Sequence, residues 1–309
     1  MSNSKVRYLV FDIESVADGK LISKTKYPGE NLSAADAIKT FREFLMKKYD
    51  SDFIPYTFQI PVSIVVAKVA ADFSLIDLVS LDEPNFRSHV ITQHFWTGWE
   101  KYNHPTLVSF NGRTFDIPLL ELASYRFGIS IADWFKWRAK TFQQPRNRYN
   151  IEGHLDLHEV LTNFSASRFN GGLNLAATLI GKPGKLDVQG FMVQDMFDAG
   201  QMQEIDDYCR CDVLDTYFVF LRTMVLIGEI DLKREQDLVQ HAKEWLIAGI
   251  PQRPIYQQYL DAWGDWTSPW EAETEQPLEK NTADSENEPD HTLDSTSKPN
   301  FVETDDSLP

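Results

Sequence analysis

The chain is poor in cysteine, in long apolar runs and in positive charge, and each shortage closes off a class of protein. Its 2 cysteines, Cys209 and Cys211, stand one residue apart. A pair that close cannot build a disulfide framework, and no His/Cys spacing resembles a zinc site. They read as reduced thiols in a cytoplasmic protein. The longest greasy stretch, near residues 60–70, contains Pro61, Ser63 and Lys68 and is far too short to cross a bilayer. No apolar leader precedes the first strand-like residues, so no membrane association is expected. No repeat with a period of roughly 20 to 50 residues is visible, which excludes solenoids and propellers.

Positive charge is the third shortage. Lysine and arginine number 30 against 46 acids, a net of −16. That sum argues against a nucleic-acid partner until its distribution is considered. Residues 271–309 hold 12 acids and 2 bases, a net of −10, which leaves −6 for the preceding 270 residues. A local basic strip matters more than the total. The expected organisation is a catalytic domain over 1–250, an extension over 251–270 and an acidic tail over 271–309. The tail is rich in Glu, Asp, Ser, Thr and Pro, is expected to be disordered, and could recruit a basic protein partner.

What is present is a regular alternation of strand and helix patterns. Arg7-Tyr8-Leu9-Val10-Phe11 is a strand that runs into Asp12-Ile13-Glu14. A polar helix over 33–49 interrupts the sheet and carries Lys39, Arg42, Lys47 and Lys48. Strands at 62–69 and 74–80 form a hairpin. A helix starts at Asp82-Glu83-Pro84, with Asp82 as its cap. A buried strand over 105–110 precedes a helix that stops at Gly128. Leu155-Asp156-Leu157 is a short strand. Gly171-Gly172 opens a helix, and long helices follow over 203–228 and 234–248. Three strands in a row and then alternating elements predict a mixed α/β sheet with helices on both faces.

Acids from remote segments fall at the ends of these elements. Strand alternation points Asp12 and Glu14 the same way and turns Ile13 into the opposite layer. Two adjacent carboxylates repel each other, and a divalent cation removes that cost; oxygen-only coordination suits magnesium or manganese. Asp116 begins the helix after the 105–110 strand, where it could also serve as a cap. Tyr208 and Asp212 are four apart on one helix and share a face, with Asp215 near it as an alternative ligand. A buried core aromatic is the lesser alternative for Tyr208. Asp156 reads as a structural acid or a supporting one, and His154 and His158 as ordinary histidines. Strand ends and helix starts meet at one edge of such a sheet. Four carboxylates converging there would hold two divalent cations roughly 3.5–4 Å apart, the arrangement used for in-line attack on phosphate esters.

The ordered set Asp12-Ile13-Glu14, Asn111-x-x-x-Phe115-Asp116 and Tyr208-x-x-x-Asp212 resembles the three exonuclease motifs of the DEDD superfamily, in its tyrosine branch. It is similar to the 3′–5′ proofreading exonuclease domain of family B DNA polymerases, over roughly residues 5–230. Asp207, and not histidine, stands five before Asp212, as the tyrosine branch requires. The resemblance implies a ribonuclease H-like fold. It implies two cations, Mg²⁺ or Mn²⁺, the first held by Asp12, Glu14 and Asp212 and the second by Asp12 and Asp116. Tyr208 would orient the attacking water. Asn111 and Phe115 would lie near the terminal nucleotide, with Arg113 also in contact with substrate; Phe115 could instead be a core residue.

The basic strip is Lys136, Arg138, Lys140, Arg146 and Arg148, interleaved with Trp134, Phe135, Trp137, Phe142 and Tyr149. Cations for phosphates and aromatic faces for bases are what a single strand needs, although such aromatics can also pack inward. The expected function is a metal-dependent 3′–5′ exonuclease on single-stranded ends, DNA before RNA, releasing nucleoside 5′-monophosphates. The rival expectations are an inactive nucleic-acid-binding relative and an interaction module that works through the acidic tail.

Overall fold

A computed structural model describes residues 6–184 and 190–270 of the chain. The elements run β1 (Val6–Ala17), α1 (Gly19–Lys26), α2 (Ala34–Tyr49), β2 (Gln59–Ala70), β3 (Leu75–Ser80), α3 (Ser88–Lys101), β4 (Thr106–Ser109), α4 (Asp116–Phe127), α5 (Ala132–Phe135), β5 (His154–Asp156), α6 (Leu157–Leu161), α7 (Gly172–Thr178), α8 (Val193–Asp198), α9 (Met202–Leu226), α10 (Leu232–Gly249) and α11 (Ile255–Asp261). The five strands form one mixed sheet in the order β3-β2-β1-β4-β5. β2 runs antiparallel to β1 and β3, whereas β4 runs parallel to β1 and β5. This is the mixed α/β sheet expected from the sequence.

Alternation along β1 decides the two layers. Leu9, Phe11 and Ile13 face a core built with Ile91, Phe95, Trp96 and Trp99 of α3 and Leu119 and Leu120 of α4. Val10 faces the other core, made largely by α9, α10 and α11. Each such apolar side chain contributes about 1.5–3 kcal/mol when fully buried. Asp12 and Glu14 continue the Val10 row and so emerge on the α9 side. The register shifts between Glu14 and Ser15, where Glu14 opposes Ser63 and Ser15 opposes Pro61. Such a bulge bends a strand and re-aims its side chains, and bulges are common beside active sites.

Three local readings change. The helix expected from Asp82 begins at Ser88. The residue before a proline is steered away from the helical region. Asp82 instead takes the left-handed conformation and accepts hydrogen bonds from the backbone N–H and guanidinium of Arg87. A short helix, α1, forms directly after β1, capped by Asp18, whose side chain accepts from the Leu21 N–H. The expected boundary at 250 falls inside a compact unit that runs to Trp266. Tyr256 and Tyr259 of α11 are buried in its core. The second unit begins at Thr267, and the acidic tail lies outside the described residues. Among the described residues no helix is long and apolar enough to cross a membrane.

Candidate active site

At the edge of the sheet lies a cleft of about 610 Å³ lined by Asp12, Ile13, Glu14, Phe53, Pro55, Tyr56, Phe110, Asn111, Thr114, Phe115, Asp116 and Asp212. Five segments supply it, one of them the stretch between α2 and β2 that carries Phe53, Pro55 and Tyr56. β1 delivers Asp12 and Glu14. The turn after β4 delivers Asn111 and Phe115, α4 opens with Asp116, and α9 crosses β1 and β2 to bring Asp212.

The turn after β4 is held from β5. Asp156, 2% exposed, accepts hydrogen bonds from the backbone N–H of Asn111 at 2.8 Å and of Arg113 at 2.9 Å, and from that of His158 at 3.0 Å. Asn111 adopts φ 65°, a left-handed conformation that asparagine tolerates better than most residues. Gly112 is required by space, because a Cβ there would collide with Ser109 Oγ and Asp116 Oδ2. Asp156 is therefore the structural acid of the two roles open to it. His154 is a buried core histidine hydrogen-bonded to Ser109.

The electrostatics of the cluster are those of crowded acids. Burial raises the Asp12 carboxyl to about 6. Burial, and then the charges of Asp12, Asp212 and Asp116, push Glu14 well above the usual carboxylate range. Burial and the charges of Asp12 and Asp156 do the same to Asp116. Among the described residues, no lysine or arginine forms an ion pair with Asp12, Glu14 or Asp116. Buried carboxylates without a cation either stay protonated or acquire one from solution. An oxygen-rich donor set of this kind fits a hard divalent ion.

Cys209 is the residue that the sequence reading did not place. Its Sγ donates to the Asp12 carbonyl at 3.4 Å and lies 3.8 Å from Asp12 Oδ2. One ligand atom each from Asp12, Glu14 and Cys209 lie within 4.8 Å of one another. The signal was its place on the helix, one residue after Tyr208 and three before Asp212. Burial and the charges of Asp12 and Glu14 push its thiol well up, so it remains protonated at neutral pH.

Tyr208 stands behind the carboxylates and does not line the cleft. Its hydroxyl is hydrogen-bonded to Asp212, and its ring packs with Val16, Val62, Val193 and Ile205. Burial and the Asp212 charge raise it far above the usual phenol range. It is a fixed neutral donor. Asp215, one turn further on, faces elsewhere: Tyr259 Oη donates to it at 2.7 Å in the core.

The basic strip divides. Arg113 is largely buried and paired with Glu159 at 2.8 Å, so its guanidinium serves the packing of β5 and α6. Arg148 shares that glutamate, and Arg146 is paired with Glu121 at 2.7 Å. Lys136, Arg138 and Lys140 are exposed, as are Trp137 and Phe142, whereas Trp134 is 1% exposed in the core beside Trp96 and Trp99.

A comparison with known families matches residues 51–263, more than two thirds of the chain, to a family described as predicted 3′-5′ exonuclease related to the exonuclease domain of PolB. The chain belongs to that family. The match begins after β1, so Asp12 and Glu14 join the site through the sheet geometry. A matching solved structure is the family B DNA polymerase from the hyperthermophilic archaeon Pyrobaculum calidifontis, at 12% identity and a TM-score of 0.44. The alignment covers 71% of this chain and 24% of the polymerase, so the chain spans about a quarter of that protein. A comparison with curated proteins finds no match.

Proposed function

We propose that the chain is a 3′–5′ exonuclease that hydrolyses the terminal phosphodiester of single-stranded nucleic acid, DNA before RNA, and releases nucleoside 5′-monophosphates. One observation carries the reading: carboxylates from β1 and α4 are buried together without an ion-pairing lysine or arginine among the described residues, in a cleft that also takes Asp212 from α9. Two divalent cations, Mg²⁺ or Mn²⁺, held by Asp12, Glu14 and Asp212 and by Asp12 and Asp116, would supply an activated water and neutralise the departing 3′ oxygen.

The remaining roles fall to the side chains. Tyr208 would hold Asp212 through its hydroxyl, and so orient that ligand rather than abstract a proton. Phe115 and Phe53, with ring centroids 5.9 Å apart, offer an aromatic wall for the terminal base. Lys136, Arg138 and Lys140, with Trp137 and Phe142, receive the rest of the strand. Nothing in this arrangement reads base edges, so cleavage is expected to be independent of sequence.

The test uses the full chain with oligonucleotides labelled at the 3′ or the 5′ end, with Mn²⁺, Mg²⁺ or EDTA. Metal-dependent shortening from the 3′ end is expected, giving a ladder from the 5′ label and mononucleotide from the 3′ label. An intact 5′-labelled strand in Mn²⁺ and in Mg²⁺ would overturn the proposal.

A further inference from the structure

Asp206 lies two residues before Tyr208 on α9 and has no exposed surface. Its carboxylate accepts a hydrogen bond from Ser63 Oγ at 2.8 Å and another from Ser80 Oγ, and it pairs with Arg210 at 3.2 Å. Arg210 continues to Glu83, which also pairs with Arg253. A buried carboxylate with three partners is held firmly. The partners are not equivalent. Ser80 belongs to the edge strand β3, and Glu83 and Arg253 belong to segments outside the sheet. Ser63 alone stands in the strand beside β1, and its partner across the ladder is Glu14.

That register has a physical consequence. Residues opposed across a ladder present their side chains on one face. Ser63 and Glu14 therefore both rise toward α9. Immediately beyond this pair the ladder slips, so the regular backbone pairing is interrupted next to Glu14. The Ser63–Asp206 bond ties α9 to the sheet at that point. Tyr208 and Asp212 lie two and six residues further along the same rigid helix.

We infer that Asp206, held by Ser63, is a positioning residue: it fixes the height and rotation at which α9 presents Asp212 and Tyr208 to Asp12 and Glu14, and so sets the affinity of the cluster for its cation. This rests on the metal-centre reading proposed above. Loss of a partner that bonds a metal ligand directly typically costs roughly 10–100-fold in metal affinity, and Ser63, which acts on the ligands through α9, should fall at the low end of that range.

The experiment measures Mn²⁺ binding directly, from the electron paramagnetic resonance signal of free Mn²⁺ titrated with full-length protein. Ser63→Ala is expected to weaken binding roughly 10-fold. The Mn²⁺ concentration for half-maximal cleavage should rise by the same factor, with the KM for oligonucleotide unchanged. Ser63→Cys, which keeps the volume and loses the strong donor, should do the same. Ser63→Thr, which keeps the hydroxyl, should restore the wild-type isotherm. Ser80→Ala removes a hydrogen bond to the same carboxylate from the other strand; it should lower the melting temperature without moving the isotherm. Equal weakening in Ser63→Ala and Ser80→Ala, or none in either, overturns the inference and leaves the exonuclease proposal standing. A wild-type isotherm that Asp12→Ala does not change would overturn the metal-centre reading and this inference together.

Discussion

Two groups of buried acids in this molecule are treated in opposite ways. Asp206, Glu159 and Glu235 are each almost fully buried, and each has an arginine: Arg210, Arg113 with Arg148, and Arg222. Glu14 and Asp116 are comparably buried and have none among the described residues. The first group closes its charge within the chain and serves the fold. The second leaves its charge open, and the open balance is what separates a candidate ion site from an internal ion pair.

The largest effect should come from breaking the first kind. Arg210→Ala leaves Asp206 buried and unpaired, and should cost about 3–5 kcal/mol of stability, read by urea unfolding. An unchanged midpoint would show that Asp206 is not committed to that pair. The cleft acids should behave in reverse. Asp12→Ala is expected to reduce cleavage more than roughly 100-fold, beyond what loss of an outer partner causes, while the metal-free melting temperature stays the same or rises. A large loss of stability would place Asp12 among the structural acids.

Next comes the strip. Replacing Lys136, Arg138 and Lys140 together with glutamine should lower the slope of log affinity against log salt by about 2 for a single strand, with turnover of a dinucleotide unchanged. Arg146→Gln alone should do less, because Arg146 is already engaged by Glu121. Equal slopes would remove the exposed cations from the substrate path.

A smaller effect is expected from pH. The Asp12 carboxyl is raised in the fold from an ordinary 3.8 to about 6. Its favourable contribution is complete below the unfolded value and is lost as pH rises through about 6. In EDTA, the melting temperature of the wild type should therefore fall relative to Asp12→Asn between about pH 4 and pH 7, and Mn²⁺ should remove the difference. Parallel curves would mean that Asp12 titrates normally. The smallest effect belongs to Asp215→Asn, which should leave the metal dependence of cleavage as it is, since that side chain is bonded to Tyr259 outside the cleft.

Much of this was legible locally. A β-rich run ending in two acids two apart announces its own facing, and Ile13 does turn into the layer opposite Asp12 and Glu14. The α9 pattern and the spacing of Tyr208 and Asp212 were readable for the same reason. Helices α8 and α11 were not, being short and stabilised by contacts rather than by their own periodicity. Nor was the fate of Arg113, Arg146 and Arg148: a guanidinium reads as a phosphate ligand until Glu159 and Glu121 are seen beside it. Asp206 and Asp212 look alike in sequence, yet one meets a serine hydroxyl and an arginine while the other lines the cleft.

The linear order of residues determined which elements form, which way their side chains point and which acids fall at their ends, because these follow from periods of two and 3.6 residues along the backbone. Tertiary structure alone decided which of those acids find a counter-charge. Ion pairs and hydrogen bonds act over a few ångströms in space: Glu159 meets Arg113 and Arg148 from other segments, and the hydroxyls that reach Asp206 and Asp215, from Ser63 and Tyr259, come from as many as 143 positions away.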